Sequence, residues 1–121
     1  MRPWSYFVVG CSHSHWDAFR TGDSTVISPD HVTFHHYSDF LLHEMGSLGD
    51  GIETGDAKGR EFRTAPLWGL SSLSGYLHDG RAATVKDAIL AHDGQAQRAR
   101  ERFARASVSD QVALLAFLAS L

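Results

Sequence analysis

Gly10-Cys11-Ser12-His13-Ser14-His15 is the most informative stretch of this 121-residue chain. It differs by one atom, oxygen for sulfur at position 14, from Cys-x-x-Cys-His, the attachment signature of c-type haem. That signature has a physical logic. Two thiols add to the porphyrin vinyl groups, and the adjacent histidine binds the iron from one side. With Ser14 in the second place only one thioether can form, through Cys11, while His15 keeps the position of the iron ligand. Cys11 is the only cysteine, which excludes an internal disulfide and any zinc site built on cysteine pairs. A lone thiol or a buried apolar role stays open for it. Taken alone, a Cys-x-x-x-His match carries little weight.

Composition narrows the rest. Hydrophobic residues make up 43% and charged residues 21% of the chain, the balance of a globular protein with one modest core and a length that suggests one domain. The net charge is −3, so no overall basic footprint points to nucleic acid. The longest apolar run, Val112 to Ala119, is far short of the ~20 residues that span a bilayer. Val8-Val9-Gly10-Cys11 has the form of a lipoprotein cleavage box. It lacks the charged start and the apolar stretch of ~7–15 residues that a signal needs, so no export signal is visible. Eight histidines are the unusual count. Imidazole is the commonest metal and haem-iron ligand, so the excess favours a metal or haem protein. For any single histidine, a turn or surface role is the commoner one.

Outward from the motif, residues 4–17 fit helix or strand equally well by periodicity. Residues 18–36 are rich in turn formers, Thr21-Gly22-Asp23-Ser24 and Ser28-Pro29-Asp30, and read as loop. Tyr37 to Met45 is a short apolar-polar run. Residues 46–60 hold five glycines and read as an exposed loop or flap, and Glu61 to Tyr76 as a packed extended segment. The C-terminal third is helical. Thr84 with Asp87 forms a capping pattern, after which Val85, Ala88, Ile89 and His92 share one face and Gly94 marks a stop. A second helix covers Gln95 to Ala106, with Ala96, Ala99 and Phe103 inward. Arg98, Arg100, Arg102 and Arg105 make its solvated face, and Glu101 lies four residues before Arg105 for a weak pair. Ser107 with Asp110 caps a third helix, whose core stripe is Leu114, Phe117, Leu118 and Leu121.

Several further stretches stand in a recognisable order: Arg20-Thr21-Gly22-Asp23-Ser24; Tyr37-Ser38-Asp39-Phe40-Leu41-Leu42-His43-Glu44-Met45-Gly46; Asp50-Gly51; Glu61-Phe62-Arg63-Thr64-Ala65-Pro66-Leu67-Trp68-Gly69-Leu70; and Tyr76-Leu77-His78-Asp79-Gly80-Arg81-Ala82. Together with Gly10-Cys11, His15 and the closing Leu114 to Leu121, the chain resembles the di-haem oxidoreductase family of thiol oxidoreductases, relatives of bacterial di-haem cytochrome c peroxidases. The resemblance covers roughly residues 7–121. It implies a mainly α, small cytochrome c-like helical domain with long irregular loops, residues 1–121 forming one such domain of a longer di-haem protein. Family members are several times longer and carry a second haem and the peroxide or substrate site outside the region represented here. No complete active site is expected in this chain.

The resemblance also implies a site. Cys11 and His15 take the haem c attachment and proximal positions. The family's His-Asp-Met-Gly stands here as His43-Glu44-Met45-Gly46, which makes Met45 the candidate second axial ligand, because a thioether suits electron transfer by raising the potential. Met45 as core filling and His43 as a substitute ligand are the alternatives. His78 is expected to donate to backbone in a turn. Arg63 and Trp68 can reach haem propionates, with core packing the commoner role for Trp68. The expected function is a haem c electron-transfer domain held through a single thioether, located in the periplasm by resemblance. Its partner would be a redox protein or the missing N-terminal haem domain, with neither nucleic acid nor a membrane span. Two other readings compete. One is a divergent protein that lost the haem and holds a divalent metal adventitiously through His13, His15, His35 and His36. The other is a fragment that folds poorly.

Overall fold

Pro3 fixes the start of the first element, and Gly10 its end. The computed structural model describes residues 3–23, 25 and 31–121; Ser24 and Ser28-Pro29-Asp30 of the expected loop lie outside them. Helix α1 spans Trp4–Val9, and Gly10, at φ 98°, takes the left-handed conformation that ends it. Periodicity leaves helix and strand open here. Burial settles it, because Tyr6 and Val9, three apart on one helical face, are both in the core. A single helical turn, Cys11–His13, follows at once.

Two short sheets occupy the middle of the chain. Strands β1 (Phe19–Arg20) and β2 (Thr33–Phe34) pair antiparallel, with Phe19 opposite Phe34. Strands β3 (Leu42–Glu44) and β4 (Glu61–Arg63) pair antiparallel, with His43 opposite Phe62. Residues 18–36 are therefore not loop throughout. Helix accounts for 40% and strand for 12%, so the mainly α expectation gives way to a mixed α and β architecture. The physical reason is that inner backbone groups need partners, and short ladders supply them where the sequence shows no helical period. The glycine-rich segment 46–60 is only partly the exposed flap expected. It begins with a helical turn, Gly46–Leu48, in which Gly46 and Leu48 are buried.

The helical third follows its sequence signals closely. Helix α2 spans Val85–Ala91, with Thr84 Oγ1 accepting the Asp87 N–H at 3.0 Å. A short turn, Gly94–Ala96, leads into α3, Gln97–Arg105. Helix α4, Val108–Leu118, is capped by Ser107, whose Oγ accepts the Asp110 N–H at 3.1 Å. Glu101 takes Gln97, at 2.8 Å, as its partner on the exposed face of α3, in place of the expected Arg105. The core gathers Tyr6 and Val9 from α1, Tyr37, Phe103 from α3, and Leu114 and Leu118 from α4. Tyr6 meets Tyr37 and Phe117 edge-on, with ring centroids 6.2 and 5.4 Å away, the geometry aromatic quadrupoles favour.

One contact joins the two halves of the chain. Gly46 and Gly94, both with positive φ, lie back to back: a Cβ on Gly94 would collide with the Glu44 carbonyl and lie 2.8 Å from Gly46 N. Asp93 locks the contact by accepting the Ser47 N–H at 2.9 Å. These bonds from Ser47, and then the Gly94 N–H, hold its carboxyl down at about 2. Gly94→Ala adds steric overlap to the cost of a left-handed alanine, whereas a Cβ on Gly55, at φ 60°, would meet nothing within 4 Å. Gly55→Ala should therefore lose about 1–2 kcal/mol, and Gly94→Ala clearly more, as read from urea unfolding midpoints; equal losses would show that the contact is slack.

Candidate functional site

The spacing within Cys11–His15 produces a particular local geometry. The His15 N–H donates to the Cys11 carbonyl at 2.9 Å, a bond spanning four residues that closes one helical turn. The two side chains thereby stand on the same side of the chain. The Tyr6 hydroxyl donates to the His15 carbonyl, which ties the turn to the core. The His15 ring is oriented from the opposite direction: its Nδ1 donates to the Tyr37 carbonyl at 2.9 Å. With the proton fixed on Nδ1, Nε2 carries the lone pair. This is the arrangement metal-binding imidazoles use.

Cys11, Ser14, His15 and Met45 all line one cavity of about 560 Å³. Its walls are mainly apolar, with Leu67, Leu70, Val85 and Ile89 among them. The size falls within the ~300–1,000 Å³ typical of small-molecule and cofactor sites. The structure thus brings the three expected site residues together, although they come from α1's exit turn and the segment after β3. Burial pushes the Cys11 thiol up to about 11, against a smaller opposing effect of its own backbone. It is a protonated, apolar sulfur at neutral pH, not a thiolate.

The histidines sort by what their nitrogens do. His43 also lines the cavity and has both nitrogens engaged, Nε2 with Asp39 at 2.8 Å and Nδ1 with Gln95 Oε1 at 3.0 Å, so to serve as a ligand it would first have to give up one of these partners. Burial raises the Asp39 carboxyl, but the Leu41 N–H, Thr64 and His43 together bring it below its ordinary value. His78 does not donate to backbone as expected. Its Nε2 lies 3.6 Å from Asp50, and its ring stacks on Phe62 with centroids 4.3 Å apart. His35 pairs with Asp17 at 3.1 Å, and His36 stacks on both Phe19 and Phe40, which also stack on each other. Among the described residues no three His, Cys, Asp or Glu side chains gather closely enough to hold a metal ion, so the set His13, His15, His35 and His36 is not assembled. Trp68 is 57% exposed and donates Nε1 to the His35 carbonyl; it is neither core nor cavity wall. Arg63 does reach the cavity wall.

His92 is the site residue that sequence reasoning misses. Its pattern places it on the α2 face with Val85, Ala88 and Ile89 and assigns it no chemistry. All four line the cavity. His92 Nδ1 donates to the Ala88 carbonyl at 2.7 Å, so it repeats the anchoring of His15 and likewise leaves Nε2 as the lone-pair atom. The available signal is a histidine at the fourth position of an otherwise apolar stripe.

Imidazole and sulfur donors on an apolar cavity of this size suit a bound cofactor. In agreement, the family described as "di-haem oxidoreductase, putative peroxidase" matches residues 5–121. The chain belongs to this di-haem oxidoreductase family, a family that binds haem. No curated protein and no solved structure matches the chain. No helix among the described residues is long and apolar enough to cross a membrane.

Burial lowers the His15 ring to about 4, outweighing the Tyr37 carbonyl, and lowers His92 for the same reason. Unfolded, both titrate near 6.5. For His15, between about pH 6.5 and 4 the unfolded chain takes up a proton that the folded chain refuses, and His92 acts in the same direction, so stability is full above about pH 6.5 and falls with acid. The slope should reach at most about 1.4 kcal/mol per pH unit for each ring. His15→Gln should flatten the pH dependence of urea unfolding in this window; an unchanged slope in the His15→Gln, His92→Gln double variant would show that both rings are solvated.

Proposed function

We propose that the chain is a haem c-binding electron-transfer domain, cytochrome c-like and forming one part of a longer periplasmic di-haem oxidoreductase. The observation that carries this is the turn that sets Cys11 and His15 side by side on the cavity, with His15 Nε2 left as the lone-pair atom by the Tyr37 carbonyl. Cys11 would add its S–H across one porphyrin vinyl group, sulfur to one carbon and hydrogen to the other, with no net redox change. Ser14 cannot form the second thioether. A haem held here supplies a one-electron iron couple, and the protein tunes it through its ligands and the polarity around them.

A bound haem iron could take a further ligand from the cavity wall, where Met45 and His92 stand alongside His43. Met45 is the one supported by the family-like His43-Glu44-Met45-Gly46 stretch. His92 is the one the geometry favours, because its ring is already oriented by the Ala88 carbonyl and a flexible thioether is not. The mainly apolar wall would shield a bound group from water and so limit how far solvent stabilises the charged state of the iron. Catalysis on peroxide or thiol would fall to the rest of the longer protein. A redox partner, or that protein's other haem domain, would exchange the electron.

Expression in a haem-maturing host tests the reading. Mass spectrometry should find haem added to a Cys11-containing peptide, and haem extracted entirely free would refute the thioether. His15→Ala should abolish the low-spin spectrum, while His31→Ala should leave it intact. His92→Leu and Met45→Leu separate the two candidates. Loss of the low-spin spectrum in the first variant alone assigns His92. Loss of a sulfur-to-iron band in the red and a fall in potential in the second alone assigns Met45, since that apolar replacement should cost packing less than ~1.5 kcal/mol.

A further inference from the structure

The α3 helix, Gln97–Arg105, carries four arginines and one glutamate in nine residues, within a chain whose net charge is −3. This is a local positive surplus that opposes the sign of the whole. Arg100 is tied to Asp93, at 3.5 Å, and Glu101 to Gln97. Arg98, Arg102 and Arg105 are exposed. Arg98 and Arg102, one helical turn apart, also reach the cavity wall. The Arg102 guanidinium lies over the end of α1, its Nη1 3.4 Å from where a Cβ on Gly10 would be, immediately beside Cys11. A cationic face therefore borders the cavity at its Cys11 edge.

Next to this face the surface turns apolar. Trp4 and Val8, on one side of α1 and 77% and 50% exposed, flank Ala106 and Asp110 just beyond the end of α3. Val108 on the first turn of α4 is 79% exposed. An exposed tryptophan and valines beside arginines match the composition of protein-binding patches, in which aromatic residues and arginine are enriched. Polyanion tracks such as nucleic-acid grooves are dominated by charge instead.

Resting on the haem reading above, we infer that the α3 arginine face, with the Trp4–Val8 patch at its end, is the docking surface for an electron-transfer protein with an acidic face. Charge complementarity steers the encounter and raises its rate, and the apolar patch supplies area that excludes water once the partner has arrived. The docked partner sits at the Cys11 edge of the cavity, where the path to a group held inside is short. Charges beyond about 8 Å are screened at physiological salt, so the contact forms and releases readily, as an electron carrier requires.

An acidic flavodoxin serves as the probe. Amide chemical shifts of the isotope-labelled chain, followed at low ionic strength as flavodoxin is added, should change along Arg98–Arg105 and around Trp4–Val8, and the changes should fade as salt is raised. Arg98→Glu with Arg102→Glu should weaken the binding about tenfold, with the unperturbed amide spectrum showing that the fold is kept. Trp4→Ala should weaken it without altering its salt dependence. Absence of binding, shifts centred elsewhere, or tighter binding of a short single-stranded oligonucleotide to the same face would each overturn the assignment. The shift map does not need haem, so a chain that takes up none would refute the haem reading while the docking surface is still tested.

Discussion

One backbone carbonyl sets the direction of the His15 ring on the cavity wall. Tyr37 presents its oxygen to the His15 ring from a left-handed conformation, φ 53°, that a tyrosine adopts only when its surroundings insist. The insistence is visible: the Tyr37 side chain is buried among Tyr6 and Phe117, and Tyr6 in turn donates to the His15 carbonyl. Core packing therefore sets the direction of the imidazole twice, once through its ring and once through its main chain. A ligand oriented in this way has little rotational freedom left to lose on binding, which is the general advantage of an anchored first ligand.

Much of this is legible in the sequence. The caps at Thr84 and Ser107 and the stripe Leu114–Leu118 follow from local rules, and they hold because Phe103, Leu114 and Leu118 are buried together in the core. The strands are not legible. Phe19–Arg20 and Thr33–Phe34 are two residues each, too short to show a period, and they exist only because a distant segment satisfies them. Trp68 escapes its expected burial for a similar reason, since size and apolarity argue for the core while its ring N–H finds the His35 carbonyl at the surface.

The site is legible in its donors and obscure in their competition. Met45 stands out through its neighbours in a motif. His92 stands out through nothing but its place in an apolar stripe, and only the three-dimensional arrangement shows its ring held by the Ala88 carbonyl while His43 spends both nitrogens on Asp39 and Gln95. Which nitrogens already have partners is a tertiary property. The same holds for the arginines of α3. Their spacing describes an ordinary solvated face, and their position against Gly10 and the cavity gives that face a location.

The back-to-back glycines at 46 and 94 have a consequence for how such a site can vary. Met45 adjoins one of them, and His92 stands two residues before the other, with Asp93 fastening the two strips of backbone together. Both side chains thus hang from a single backbone crosspiece. If a haem occupies the cavity, the choice between the Met45 sulfur and the His92 nitrogen as its ligand would set the redox potential on a fixed frame. A lineage could shift it through one substitution at either position, leaving the architecture undisturbed.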